Sequence, residues 1–277
     1  MAAILTLLTD FGESDGYVGA LRGAIIGTAP QLRLETLTHG IPAHDIGAGA
    51  YWLAASAPAF PAGTVHCAVV DPGVGTERPL VAARMDGQVV VAPDNGLLHF
   101  LWQKSQDRAA VRIEAMGSEP GRVSNTFHGR DLIGPLAARL ASGALDLQDL
   151  GPRLKSPQLI PEFLPEGDSA GTAARVVVVD RFGNAILTVA RTPWYSPAPA
   201  SATVKGGRVV DQVVRTYGEI RGELGLLWNS ADHLEIAGNR VSAARLLRLA
   251  PGDTVRVVWE KPPGASRRRV GAPAAAS

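Results

Sequence analysis

Apolar residues in the first half of the chain fall into short dense runs separated by stretches with helical spacing. Ile4–Leu8 is one such run and reads as a buried strand, after which Val18, Leu21 and Ile25 recur three and four positions apart, the spacing of one helix face. A second helical pattern begins near Asp45 with Ile46, Ala50, Leu53, Ala54 and Ala57, and strands are predicted again at Val65–Val70 and Val89–Val91. Strands that are apolar on both sides need cover on both sides, so the expected fold is an α/β domain, a mostly parallel sheet with flanking helices. Asp131 opens a further predicted helix, with Leu132, Leu136 and Leu140 on one stripe and Ile133 and Ala137 beside it, ending near Gly143.

The pattern changes between Leu154 and Gly171, where Pro157, Pro161 and Pro165 and scattered glycines break any period. Beyond it the chain reads as strands: Arg175–Val179, Ile186–Val189, Ala202–Val204, Gly222–Leu227, Leu234–Ile236 and Thr254–Trp259. The expected organisation is an α/β domain over residues 1–165 and a smaller antiparallel β-barrel or sandwich over 170–262. Residues 263–277, with Arg267, Arg268 and Arg269 ahead of an Ala/Pro tail, have no apolar periodicity and are expected to be disordered.

Composition narrows the function classes. Of 277 residues 46% are hydrophobic, enough for a sizeable core, while 27 basic against 26 acidic residues leave no field for nucleic acid or an acidic membrane. No apolar stretch reaches the roughly 18 residues of a membrane span, and no basic segment precedes the first apolar run. The single cysteine, Cys67, lies inside an apolar run, is expected in the core, and suits a reducing cytoplasm. The six histidines are scattered without paired ligand spacing, so a zinc site is not expected.

Three polar loops carry the candidate chemistry. Thr9 to Gly16, with Asp10 and Asp15, follows the first strand at the edge where open α/β sheets bind ligands; its carboxylates either grip hydroxyls or an ammonium, or cap the turn and helix. Asp71-Pro72-Gly73-Val74-Gly75-Thr76-Glu77-Arg78 follows another strand and brings Asp71 and Arg78 towards one cleft, or pins the loop with an ion pair. Its Gly-x-Gly lacks the third glycine and following helix of a phosphate cradle. Asn125 to Asp131 sets His128 at the start of a helix, where a histidine is less readily charged. Pro93-Asp94-Asn95-Gly96 adds a polar turn of type I′ or a related kind.

These motifs together resemble the S-adenosyl-L-methionine hydroxide adenosyltransferase family, whose relatives include the bacterial fluorinase and chlorinase. The carriers are Thr-Asp-Phe-Gly at 9–12, Val-Val-Asp-Pro-Gly-Val-Gly-Thr at 69–76, Pro-Asp-Asn-Gly-Leu-Leu at 93–98, Thr-Phe-His-Gly-Arg-Asp at 126–131, Asp-Arg-Phe-Gly-Asn at 180–184 and Leu-Glu-Ile-Ala at 234–237. The resemblance implies an α/β N-terminal domain, a β-barrel C-terminal domain, and a homotrimer that binds S-adenosyl-L-methionine between subunits. It implies that Asp10 holds the ribose hydroxyls, Asp15 and Asp180 the ammonium and Ser230 the carboxylate, with Asn184 at the adenine edge, Phe182 and Tyr217 as stacking surfaces and Glu235 as a polar contact. Asp71, Arg78 and His128 match the family's hydrolytic set, which implies attack of water at C5′ to give adenosine and L-methionine without a metal or other cofactor.

Two alternatives stand beside hydrolysis. Halogenases of the family carry tyrosine where Asp71 stands here, and a carboxylate on the halide path repels an anion. Gly129 replaces a serine found in the fluorinase, and the fluorinase insertion between the Arg78 and Pro93 motifs is missing. A non-catalytic adenosine or S-adenosyl-L-methionine sensor needs the pocket but not the Asp-Arg-His set. Ala231-Asp232-His233 after Ser230 departs from the family pattern at the carboxylate end, and His44 near the expected cleft is open between ligand contact and helix start.

Overall fold

The computed structural model describes residues 2–114, 123–164, 166–168, 171–191 and 198–260. The chain divides into two compact units, Met1–Leu164 and Pro165–Ser277. The 263–277 tail lies outside the described residues.

The first unit runs β1 (Ile4–Thr9), α1 (Tyr17–Thr28), β2 (Arg33–Thr38), α2 (Ile46–Ser56), β3 (Val65–Val69), β4 (Leu80–Met85), β5 (Gln88–Pro93), α3 (His99–Lys104), β6 (Arg108–Arg112), α4 (Gly134–Ala141) and β7 (Arg153–Leu154). These strands form one sheet in the order β2-β1-β3-β5-β4-β6-β7. Only the β2-β1-β3-β5 half is parallel; β4 pairs antiparallel with β5 and β6, and β6 with β7. The expectation of a mostly parallel sheet is therefore corrected to a mixed one. The cause is the two-residue turn Asp86-Gly87, with φ of 48° and 83°, between Met85 and its partner Gln88. Asp-Gly is a strong hairpin signal, and it folds β4 straight back onto β5.

Alternation along the parallel strands explains the layers. Leu5, Leu7, Val65, Cys67, Val69 and Val91 share a core with Leu21 and Ile25 of α1 and with Leu136, Ala137 and Ala138 of α4. Cys67 is fully buried there, as its run predicts, and burial pushes its thiol up to about 12, so it packs as a small hydrophobe. On the opposite face, α2 approaches so closely that a Cβ on Gly49 would lie 3.0 Å from Val70 and 2.7 Å from Leu97. Asp45 starts α2 by accepting the Ala48 N–H at 2.8 Å.

The helix predicted from Asp131 begins earlier, as one π-helical turn over Gly129–Ile133 that runs into α4. Asp131 is not its cap. Its carboxylate accepts the Ser124 N–H at 2.8 Å and pairs with Arg130 at 2.6 Å, which fastens the preceding loop. The 93–96 turn is also not of type I′, because Gly96 alone in it has a positive φ, 105°.

The second unit comprises β8 (Glu166–Asp168), β9 (Gly171–Val179), β10 (Ala185–Ala190), β11 (Pro199–Thr203), β12 (Val209–Val210), β13 (Leu224–Trp228), β14 (His233–Gly238), α5 (Ala243–Leu247) and β15 (Thr254–Trp259). The sheet order is β12-β11-β15-β9-β10-β14-β13, with β8 on β9 and every strand pairing antiparallel. Just past β12, Val213 bridges to Leu226 of β13, and the Val214 N–H bonds the Leu226 carbonyl at 3.0 Å. The first and last strands of the path thus nearly meet, which gives the sheet its near-barrel form. Val176, Leu187, Ala202, Leu226, Leu234, Ile236, Val255 and Val257 fill its interior, and Ala243, Ala244 and Leu247 of α5 pack against them.

Candidate active site

β1 and β3 are parallel neighbours in register, Thr9 opposite Val69, so the loops that leave their carboxyl ends lie side by side. Strand pairing therefore brings together Asp10 and Asp71, sixty-one positions apart. With Phe11, Tyr17, His44, Phe127 and His128 they line a cleft of about 280 Å³ in the first unit.

Each loop is held by its own bonds. The Thr9 hydroxyl sits 2.9 Å from Nδ1 of buried His39 and accepts the Phe11 N–H at 3.2 Å, while the Gly12 N–H donates to the His39 carbonyl at 2.9 Å. Burial, the largest cause, lowers the His39 pKa. Asp10 is not a helix cap: its Oδ2 accepts the His44 N–H at 2.9 Å, and the His44 Nδ1 lies 4.0 Å away. His44 adopts a left-handed φ of 68° and exposes 75% of its side chain, so its backbone braces Asp10 while its ring faces the cleft. Asp15 also caps nothing, since the N-cap of α1 is Gly16 with no side-chain bond; it is exposed on the rim of the same loop.

The second loop turns through Gly75, whose φ of 78° and place against the Asn125 carbonyl, 2.3 Å from where a Cβ would stand, leave room for glycine alone. That contact packs the second loop on the third. Across the junction, Arg78 donates from Nε to both carboxylate oxygens of Asp71 at 3.0 and 2.9 Å and from Nη2 to Oδ2, a forked pair with only 5% of Asp71 and 12% of Arg78 exposed. The same Nη2 lies 2.9 Å from His128 Nδ1.

A guanidinium only donates, so this contact requires an unprotonated Nδ1 and leaves the proton of the neutral ring on Nε2. The His128 pKa is lowered in keeping, by desolvation first and by the Arg78 charge second, with Asp71 and Asp131 opposing. The direction is the expected one, with burial and Arg78 as its causes rather than the helix N-terminus. Asp71 and Arg78 do make the ion pair weighed from the sequence, and that pair is the centre of a three-residue network. Asp71 lines the cleft with Asp10, and Arg78, bonded to Asp71 and His128 at its wall, lines an adjoining chamber.

An aromatic trio in this cleft had no periodic signal in the sequence. Phe11, Tyr17 and Phe127 meet with ring centroids 5.4–6.0 Å apart, and the Arg130 guanidinium lies 5.0 Å over Phe127. The Pro93–Gly96 motif is a brace: Asn95 donates to the Val70 carbonyl at 2.9 Å and Asp94 accepts the Gln158 N–H at 2.6 Å.

In the second unit, Asp180 Oδ1 accepts the N–H groups of Phe182 and Asn184 at 2.9 and 2.8 Å, and its Oδ2 accepts the Asn184 amide at 3.0 Å. Asn184 is buried, and its Oδ1 takes the Gly238 N–H at 3.4 Å, so both ends of its amide are engaged. Gly183 must be glycine, with a φ of 85° and the Ser242 hydroxyl 2.2 Å from a would-be Cβ. Phe182 and Tyr217 stand out at 79% and 48% exposure. Glu235 is 2% exposed with Oε1 unbonded, and its pKa is raised by burial first, then by Asp180, against hydrogen bonds from Tyr217 and Asn229. Ser230 is exposed in the turn that Asn229 organises by accepting the Ala231 and His233 N–H groups at 3.0 Å.

Among the described residues, no group of three or more His, Cys, Asp and Glu is placed to hold a metal ion, and no helix is long and apolar enough to cross a membrane.

Comparison with known proteins gives the family. The model of the SAM hydroxide adenosyltransferase N-terminal domain matches residues 5–151, and that of the C-terminal domain matches residues 174–256. The chain is 39% identical over 259 residues to the (R)-S-adenosyl-L-methionine hydrolase of Salinispora tropica, covering 91% of this chain and 97% of that one. It is 39% identical over 262 residues to the enzyme of the same name from Thermus thermophilus, covering 91% and 98%. A fluorinase from Actinopolyspora mzabensis is more distant, at 26% identity over 294 residues, covering 92% and 96%. Among solved structures, a conserved protein from Thermotoga maritima superposes with a TM-score of 0.79 at 29% identity, covering 92% of this chain and 99% of that one.

Proposed function

The chain belongs to the SAM hydroxide adenosyltransferase family, and on that premise we propose that it hydrolyses S-adenosyl-L-methionine at C5′ to adenosine and L-methionine. The observation that carries this reading is the continuous Asp71–Arg78–His128 network beside Asp10.

The chemistry asks for an oxygen nucleophile more than for an acid. Methionine leaves a sulfonium as a neutral thioether, so the C5′–S pair goes to sulfur unaided, whereas water, with a pKa of about 15.7, must be made nucleophilic. The network divides that task. Nε2–H of His128 donates to the oxygen of the attacking water, and Asp71 accepts one of its protons through a lone pair that Arg78 does not use. His128 is not the first base, because its unprotonated nitrogen is taken by Arg78. Arg78 holds both groups in place and offsets negative charge developing on the oxygen. The O–C5′ bond forms as C5′–S breaks, and the proton passes from Asp71 to solvent.

Binding follows the same side-chain logic. Asp10, fixed by the His44 N–H, takes the ribose hydroxyls, and Asp15 and Asp180 take the ammonium. Phe182 and Tyr217 stack on the base, Asn184 and Glu235 supply polar edges, and Ser230 meets the carboxylate. The lock between Asn184 and Asp180 means that Asn184 acts on the adenine by exchanging a bond it already makes. The working assembly in this proposal is a homotrimer with sites shared between subunits, in the cytoplasm and without a cofactor.

The test is turnover of S-adenosyl-L-methionine in oxygen-18 water beside Asp71→Ala. Heavy oxygen in the adenosine 5′-hydroxyl, lost in the variant, is expected. A 5′-halo nucleoside formed with chloride present would replace hydrolysis with halide transfer, and binding without turnover would make the protein a sensor.

A further inference from the structure

His128 stands in the wall between two cavities. On one side is the cleft with Asp10 and Asp71; on the other is a chamber of about 470 Å³ lined by Thr76, Glu77, Arg78, Arg112, Glu114 and His128. Asp71 lines the cleft, Arg78 the chamber and His128 both, so the Asp71–Arg78–His128 network stands between the two. The two sides differ in chemistry. The cleft is walled by Phe11, Tyr17, Phe127, Val69 and Val74, surfaces suited to an organic molecule, whereas the chamber carries two cationic and two anionic side chains, which stay hydrated.

A hydrolase with its site between these cavities has a supply problem. Each turnover consumes one water and releases one proton, and a nucleoside seated in the cleft covers Asp71 from the substrate side. We propose that the chamber behind Arg78 and His128 is the service route of the reaction: water reaches the network through it, and the released proton leaves by it, while the substrate uses only the cleft. The proton lost by the attacking water goes first to Asp71, then to water beside His128, the residue common to both linings, and so to water in the chamber. No other reactant is needed. The inference rests on the hydrolase reading above and adds a path to it.

The test plugs the chamber without touching the cleft. Glu77 and Glu114 are exposed, so Glu77→Trp and Glu114→Trp, made separately in the full chain, fill the chamber from two directions, and Glu114→Ala removes the charge without filling it. Both Trp variants should lose at least about tenfold in kcat with KM within about twofold of the unmodified protein, and Glu114→Ala should keep its kcat. Solvent exchange of the Arg78 Nε–H, followed by nitrogen-15 NMR in the free protein, should slow in the Trp variants. Unchanged kcat in both folded Trp variants would overturn the route. Failure of the unmodified protein to form adenosine would overturn the hydrolase reading instead; the exchange measurement then decides alone, and unaltered Arg78 exchange in both Trp variants would overturn the chamber as a path for water.

Discussion

In the N-terminal unit the reactive groups hold one another, whereas in the C-terminal unit the groups assigned to binding are either locked inward or open to solvent. Asp71, Arg78 and His128 form one part-buried chain of charge-assisted bonds. Phe182 and Tyr217 instead present exposed ring faces, while Asp180 and Asn184 spend their polar atoms on each other. The difference matches the two tasks. A group that must act on a developing charge gains from being fixed beforehand, while a stacking surface needs only to be accessible. Burial moves ionisable groups with opposite signs in the two units: it lowers His66 to about 4 in the first, which keeps that ring neutral at pH 7, and raises the Glu235 carboxyl in the second.

The strongest way to break the comparison is Arg78→Ala, which removes the link between Asp71 and His128. A loss of about 10²–10³ in kcat is expected, with KM little changed; a KM effect alone would mean that Arg78 binds substrate rather than serving the nucleophile. Next comes acid stability. The unfolded chain protonates His66 near pH 6.5 and the folded chain only near 4, so stability present above 6.5 is lost as pH falls between these values, by up to about 3 kcal/mol. Glu235 has the opposite sign: its raised pKa favours the fold at low pH and works against it as pH rises through its folded value. Hydrogen exchange at pH 7 and pH 5 should therefore show the first unit losing protection more than the second.

Gly75→Ala tests the packing of the second loop on the third. With a left-handed φ and a backbone oxygen in the way, it should cost about 2 kcal/mol in chemical denaturation and reduce kcat with it. Phe182→Ala should raise KM about tenfold and leave kcat near its original value, the pattern of a base losing one stacking face. The smallest effect concerns pH: with the His128 pKa lowered, the acid limb of kcat/KM should fall below the ordinary histidine value of about 6.5. Arg78→Lys, which keeps the charge but not the fork, should move that limb upward.

Several parts of the site are legible in the sequence. Asp10 and Asp71 follow apolar runs, and each run became a strand whose carboxyl end opens on the cleft. Hairpin chemistry at Asp86-Gly87 is equally present in the sequence, and it, rather than the apolar runs, is what makes the sheet mixed. The Phe11–Tyr17–Phe127 trio was not legible, since its members come from the first loop, the first residue of α1 and a loop more than a hundred residues on, and share no period.

Local chemistry along the chain was enough to set the strand runs, the helix stripes, the burial of Cys67 and the presence of an acidic, a basic and an imidazole group in polar loops. Each of these depends on neighbours within a few positions. Tertiary structure decided which loops met, that Arg78 joined Asp71 to His128, which nitrogen of His128 kept its proton, and that Asp180 held Asn184. Those outcomes depend on strand pairing and on packing to within tenths of an ångström, and residue type does not encode distance between segments that only the folded sheet brings together.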